Sequence, residues 1–379
     1  MMTNKPLCDL ALIVGKQDKQ LLSLDIYTHH YLLPFTPRLR TIDFILSSLI
    51  HGNISPILVL TPEDADLIHN YILSGWPDLS IYVFDKHKTE QEFLPFLQEL
   101  KVDHSLQTIG IFYGHFPSWF SPLQCTLHHN YTLFTYETPF GTFPVGIVLP
   151  FRAFEEGLKA TSQENLYTFL ENIIDSVSKE KHIHTTKLLG YFQPCFSLQD
   201  YYRIHIDLLD DYHYLDHLCS LVPLRPTTKP NIVSRTTKTS HVINSIMGEN
   251  VRIEGHVENS VIFSNVIIDK KAFIKNSIIL PGNHIGSEAR IVNTIIDEFS
   301  LENVEPNIGH KAQIGSESAS SPNKRFPQLS SGFTLIGKDS FIHPRTIIGG
   351  NCYVDSFLPP TFTHKIHQLK DGEYLCEGE

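Results

Sequence analysis

A chain of 379 residues with a net charge of −11, 41% hydrophobic and 19% charged, is long enough for two or three folded domains. It carries no Lys/Arg cluster that would neutralise the phosphates of a nucleic acid, so its expected partners are proteins or small molecules. Its six cysteines (Cys8, Cys125, Cys195, Cys219, Cys352 and Cys376) include no CxxC pair, which excludes a disulfide framework or zinc ribbon and leaves a reducing cytoplasm as the expected compartment. The apolar run before Gly15 is too short for a signal peptide or a membrane span, and no later run is long enough, so no membrane role is expected.

In chain order, Leu10 to Val14 reads as a buried strand. Ile42 to Ile50 has helical spacing, with Phe44 and Leu49 on one side, and Gly52-Asn53 breaks it. Ile57 to Leu60 is a second strand, after which Thr61-Pro62-Glu63-Asp64 supplies a hydroxyl cap, a first-turn proline and acids for a helix start. Ile81 to Phe84, Ile109 to Tyr113 and Gly146 to Leu149 read as further strands with helices between them. Leu166, Phe169, Leu170, Ile173, Ile174 and Val177 form a one-sided helical stripe that belongs to a core. Ser197 caps a helix to Leu209, with Asp200 three residues on. Alternating strands and helices predict a parallel sheet covered on both faces, with ligands expected outside the carboxyl ends of its strands. Pro223, Pro226 and Pro230 mark a linker.

Beyond the linker the pattern changes. Asn244-Ser245-Ile246, Asn259-Ser260-Val261, Asn276-Ser277-Ile278 and Asn293-Thr294-Ile295 recur at intervals of 15, 17 and 17 residues. Apolar residues stand six apart within these units: Met247 and Ile253, Ile268 and Ile274, Ile285 and Ile291, Ile308 and Ile314, and the run Ile336, Ile342, Ile348, Val354. A strand and a turn three times per revolution produce that period, so a left-handed parallel β-helix is expected, its repeated Asn stacked at one corner. Such a solenoid usually serves stacking and oligomerisation. The expected organisation is an α/β domain over residues 1–222, a linker over 223–240, a solenoid over 241–358 with a protruding loop at 316–331, and an acidic tail over 359–379.

Three segments resemble one family. Pro34-Phe35-Thr36-Pro37-Arg38-Leu39-Arg40-Thr41-Ile42-Asp43-Phe44 resembles the Pro-Phe-Gly-Gly-Arg-Tyr-Arg-Leu-Ile-Asp-Phe segment of glucose-1-phosphate adenylyltransferase, the ADP-glucose pyrophosphorylase of glycogen synthesis. Tyr201-Tyr202-x-x-His205-Ile206-Asp207-Leu208-Leu209 is similar to its Tyr-Tyr-x-x-Asn-Met-Asp-Leu-Leu helix, and Gly255 to Phe263 to its Gly-x-Val-Glu-Asn-Ser-Val-Leu-Phe coil. The resemblance implies a nucleotidyltransferase-like (Rossmann-like) domain followed by a hexapeptide-repeat β-helix.

The departures from that family carry the functional expectation. Where active members have a glycine-rich loop with an arginine for the nucleotide phosphates, this chain reads Gly15-Lys16-Gln17-Asp18-Lys19-Gln20-Leu21-Leu22-Ser23-Leu24-Asp25, with one glycine and added carboxylates. Where they hold Mg²⁺ with a Gly-Asp and an Asp-Val-Gly, it reads Gly114-His115 and Pro194-Cys195-Phe196. The resemblance is therefore to the regulatory, non-catalytic subunit that accompanies an active one, with no catalytic residue, no metal and no cofactor of its own. A homologous catalytic adenylyltransferase is the expected partner in an oligomer, and a sugar phosphate a possible effector. Arg38 and Arg40, two residues apart, could hold a phosphate or could pair with Asp43 or the solenoid, and Asp43 reads as an anchor rather than a base.

Two other readings remain. An active nucleotidyltransferase would have rebuilt its phosphate site from Lys16, Lys19 and Arg38 and would need Mg²⁺. A hexapeptide acyltransferase would use a solenoid histidine, with His256, His284, His310 and His343 as candidates. His213 and His217 lie four apart without further ligands at a supporting spacing, as does His205 beside Asp207, which reads as structural rather than metal-binding.

Overall fold

The computed structural model describes residues 6–15, 21–26, 30–61, 65–76, 80–85, 93–125, 131–160, 166–179, 183–210, 212–222, 233–301, 305–363 and 366–376. Among them, no helix is long and apolar enough to cross a membrane.

The first domain is built on a seven-stranded sheet. Strands β1 (Leu10–Val14), β2 (Ile57–Thr61), β3 (Ile81–Asp85) and β4 (Thr108–Tyr113) are parallel in the order β3-β2-β1-β4. Outside the sheet lies the short β5 (Ser118–Phe120). The sheet itself continues through β6 (Thr132–Thr138), β7 (Gly141–Pro150) and β8 (His184–Lys187), while β9 (Gly190–Phe192) pairs with β5. β7 runs antiparallel to both β4 and β6, which interrupts the parallel pairing after β4; it resumes between β6 and β8. Helix and strand alternation could not foretell this, because β6 and β7 follow one another through a two-residue turn without a helix.

Both faces of the sheet are covered, and β1 shows how. Its Leu10, Leu12 and Val14 enter one cluster with Phe93, Leu97, Phe154, Leu170 and Ile174 from three helices. The alternate residues Ala11 and Ile13 enter the opposite cluster with Ile42, Ile45, Leu46 and Leu49 of the helix Thr41–His51. A period of two on a strand buried on both sides reads as a continuous apolar run.

The second domain is a left-handed parallel β-helix of three parallel sheets, two of them seven-stranded. Ile268, Ile274, Ile285, Ile291, Ile308, Ile314, Ile336, Ile342, Ile348 and Val354 all point into one buried core. Met247 does not: it belongs to the first coil and is 39% exposed, because no coil stacks beneath it. The solenoid is longer than expected at both ends. It begins at Arg235–Thr236, inside the predicted linker, and strands Gln368–Leu369 and Tyr374–Leu375 of the predicted tail add a last partial coil. Residues 223–232 of the linker lie outside the described residues.

The corner asparagines serve two purposes. Asn244, Asn259, Asn276 and Asn293 all have positive φ, between 41° and 48°, a conformation in which Asn is among the few tolerated non-glycine residues. Their amides also link coils, Asn244 to Asn259 Oδ1 at 3.0 Å and Asn276 to Asn293 Oδ1 at 3.1 Å. Next to them the hydroxyls of Ser245, Ser260 and Ser277 each accept the N–H of the residue one coil on. Asn276→Ala is expected to lower stability by about 2 kcal/mol, the sum of a left-handed backbone and a lost hydrogen bond. Asn276→Gly removes only the bond and should cost about half as much; equal urea midpoints for the two variants would show that the backbone conformation contributes nothing.

The 316–331 segment, expected to protrude, has mostly exposed residues but is anchored on the coils. Asn323 and Leu329 are buried, the Asn323 amide donates to Asn351 O and Glu373 O, and Phe326 packs on Tyr353 and Tyr374. Its Ser and charged residues hid two apolar anchors that fold the insertion back across the coils.

Candidate functional site

In a parallel sheet the ligand crevice opens where strand order reverses. Here β1, β2 and β3 step one way and β4 lies on the other side of β1, so the switch point falls between the carboxyl ends of β1 and β4, at Gly15 and Gly114. Gly114 N–H donates to Val14 O at 2.9 Å, closing the two ends together. A Cβ added to Gly15 would lie 2.7 Å from the Tyr31 ring, and one added to Gly114 would lie 2.9 Å from it. The two glycines thus make room for a tyrosine. Tyr31 is fully buried, and its hydroxyl donates to Leu60 O at 2.8 Å, at the end of β2. No pattern in the sequence singled it out, because a lone Tyr between His30 and Leu32 has no periodicity.

Aromatic rings continue from there. His115, 5% exposed, packs 3.9 Å from Phe116 and 4.8 Å from Tyr113, with His30 6.4 Å away. Phe116 in turn contacts Phe196 at 5.0 Å and Phe192 at 6.1 Å, and Phe192 stacks on Tyr136 at 4.8 Å. The structure therefore brings together the two places where the resemblance put Mg²⁺ ligands, Gly114-His115 and Pro194-Cys195-Phe196, but joins them through rings. Imidazole and phenyl groups do not fit a cation that takes hard oxygen ligands. Among the described residues no group of three or more His, Cys, Asp or Glu is placed to hold a metal ion. Beside these rings a cavity of about 500 Å³ is lined by Phe140, Phe143, Phe192 and Phe196, with Glu137 and Arg203 among its polar residues. Lys16 and Lys19 lie outside the described residues.

Arg38 and Arg40 do not converge on one point. Arg38 has a side chain 62% exposed and lies 3.4 Å from Glu249 of the solenoid. Arg40 is half-buried, donates to Leu32 O and to Glu298 Oε1 at 2.7 Å, and lies over the Tyr71 ring. Asp43 is fully buried and accepts from Arg40 N at 2.7 Å, Tyr71 Oη at 2.5 Å and Trp76 Nε1 at 3.1 Å. Burial pushes its carboxyl up, against the opposing effect of these donors. The arginine contact to Asp43 is thus made by the backbone of Arg40, while its guanidinium reaches across to the other domain.

The three segments that carry the family resemblance turn out to touch one another. Tyr201 Oη donates to Pro34 O at 2.7 Å, and Tyr202 Oη donates to Asn276 O at 2.6 Å while its ring stacks on Phe333 at 4.9 Å. His205 is buried with Phe35 at 6.0 Å on one side and Phe263 at 5.8 Å on the other. Its Nδ1 lies 2.8 Å from Tyr201 O, and burial pushes its pKa down to about 4, so it is a neutral packing group. Around these contacts Leu21, Leu24, Leu33, Leu198 and Tyr201 of the first domain form one buried cluster with Val261, Phe263, Ile278, Leu335 and Tyr353 of the second. At this joint Ser197 Oγ accepts Asp200 N at 3.1 Å and meets the Asp200 carboxylate at 2.9 Å, so the helix Leu198–Asp207 is capped as expected, with a hydroxyl in place of the returning backbone bond.

The solenoid histidines are scattered over separate positions. His256 stacks on Phe273, His284 faces Asp269 at 3.2 Å, His310 meets Ser287 at 2.9 Å, and His343 lies beside Pro344. His310 and His343 both line a cavity of about 890 Å³. His213 and His217 are exposed on the helix Tyr212–Leu221.

Comparison with known proteins adds two findings. A family model described as the GlmU-like, C-terminal hexapeptide matches residues 229–336. Glucose-1-phosphate adenylyltransferases are similar to the chain: that of Acetivibrio thermocellus is 27% identical over 202 residues, covering 52% of this chain and 45% of that protein. The Bacillus cytotoxicus protein of the same name is 31% identical over 110 residues, 28% of each chain, and the Bacillus thuringiensis one is 21% identical over 352 residues, 78% of this chain and 93% of the other. The first two matches span less than half the length of those relatives.

Proposed function

From its place in the glucose-1-phosphate adenylyltransferase family, we propose that the chain is a catalytically silent subunit that associates with a homologous catalytic adenylyltransferase and tunes ADP-glucose formation for glycogen synthesis in the cytoplasm. One observation carries this reading: the Tyr31 ring fills the switch point between Gly15 and Gly114, where a nucleotide's phosphates would need open backbone N–H groups. The aromatic packing of His115, Phe116 and Phe196 supports it from the metal side. What the chain keeps of the family is the joint between its domains, which holds two surfaces in a fixed relation for a partner. Arg38, paired only at the rim with Glu249, is the guanidinium we assign to a sugar-phosphate effector.

The test uses the purified chain, alone and mixed with a catalytic homologue from the same cell. Alone, with ATP, glucose 1-phosphate and Mg²⁺, it should form no ADP-glucose. Mixed, it should co-elute with the catalytic chain and change the sugar-phosphate concentration that activates it. Turnover by the isolated chain that is abolished by Lys16→Ala with Lys19→Ala would establish the active-enzyme reading instead. Failure to associate at micromolar concentrations would remove the partner.

A further inference from the structure

We propose that docking of the two domains is proton-linked through Asp297, the joint holding a protonated carboxyl and losing part of its grip when that carboxyl ionises. The inference stands independently of the silent-subunit reading.

Asp297 lies two residues after Ile295 of the interdomain cluster and is 2% exposed. Its Oδ1 accepts Glu298 N at 2.7 Å, and its Oδ2 has no hydrogen-bond partner among the described residues. From the first domain the fully buried Ser23 hydroxyl faces it as a weak donor that favours the ionised form, although neither Ser23 Oγ nor Asp297 Oδ2 makes a hydrogen bond of ordinary length. Two orphaned polar atoms, one from each domain, thus meet at the joint. A buried ionised carboxylate needs several donors, and the Glu298 N–H with the weakly placed Ser23 hydroxyl leaves this one poorly supplied, so burial favours its protonated form.

The charged and titratable neighbours decide which form the site favours. Glu298 adds a second carboxylate next in sequence. Lys338 at 3.7 Å and Arg40 at 2.7 Å both pair with Glu298, and Lys338 also pulls the Asp297 pKa down, though by less than burial and Glu298 push it up. Tyr201 faces the pair from the helix Leu198–Asp207, with its own ionisation pushed well up by burial. The Asn283 amide bonds the backbone oxygen of Asp297 and leaves its carboxylate alone. Desolvation first, and Glu298 second, push Asp297 up to about 7.

The direction follows from linkage. An undocked, solvated Asp titrates near pH ~4. Between that value and about 7 the docked state holds one proton more, so docking weakens as pH rises through this range, by about tenfold per pH unit, and levels off above it.

Hydrogen exchange of the full chain, corrected for the intrinsic pH dependence of amide exchange, tests the proposal. Amides of the helix Leu198–Asp207 should lose protection about tenfold per unit between pH 5 and 7 and then level off, while β1 amides show no such slope. Asp297→Asn should abolish the slope in the helix. Ser23→Ala, which leaves the carboxylate with less help, should move the levelling point to higher pH. A wild-type helix with no slope, an equal slope in β1, a slope that survives in Asp297→Asn, or an unmoved levelling point in Ser23→Ala would each overturn the proposal.

Discussion

Asp43→Ala should lower the stability of the first domain by about 3–5 kcal/mol, among the largest effects of any single change outside the hydrophobic core. The carboxylate ties three elements: the start of the helix Thr41–His51 through Arg40 N, the helix Ala65–Gly75 through Tyr71, and the residue just after it through Trp76. Removing it leaves a buried hydroxyl and a buried indole N–H without an acceptor, each costing about 1–3 kcal/mol, and deletes a helix cap worth about 1. Asp43→Asn keeps the volume and one acceptor oxygen and should cost about half as much. Trp76 is one of only two tryptophans, so its fluorescence in urea reports the loss directly. A cost below 1 kcal/mol for the alanine variant would mean that the three donors find other acceptors.

The same residue shows what could and could not be read from the chain alone. Asp43 read as an anchor for the arginine pair because it lies close to Arg38 and Arg40 in sequence, but the bond it makes is to the Arg40 backbone at the helix start, while both guanidinium groups go to the other domain. That it also holds Tyr71 and Trp76 depends on contacts across about 30 positions, which no short-range pattern records. The solenoid was legible for the opposite reason: each coil repeats the same local rule, so pairs of apolar residues six apart recur between Ile268 and Val354. It failed where the rule is broken by position, at Met247 on the open first coil and at Arg235–Thr236 before it, or hidden by composition, in the insertion around Leu329 and in the last coil around Leu369. The crevice was half legible. Missing glycines and carboxylates can be seen as absences, but Tyr31 filling the space depends on tertiary packing alone. Arg38 and Arg40 looked like one site because they are neighbours in sequence, and the extended backbone of Arg40, with ψ 163°, helps to part them toward Glu249 and Glu298.

Tyr31→Ala is the second change expected to be severe, and it separates a filled crevice from an empty one. Deleting a fully buried aromatic side chain costs about 3–5 kcal/mol when the surroundings cannot collapse. Collapse is restricted here because the walls are the carboxyl ends of β1, β2 and β4, held by parallel pairing on both sides of β1. The Tyr31 hydroxyl also satisfies Leu60 O, which the variant would leave to water. A cavity of ring size should then remain, and phenol added in excess should recover part of the lost thermal stability by binding the folded state alone, whereas Tyr31→Phe, which keeps the ring, should not respond. Opening that space should still not produce ADP-glucose from ATP and glucose 1-phosphate, because Tyr31→Ala restores neither the phosphate-binding glycines nor an oxygen ligand at His115. Recovery of turnover in Tyr31→Ala would show that the tyrosine alone keeps the crevice silent; a cost under 1 kcal/mol without a phenol response would show that the ring was never filling it.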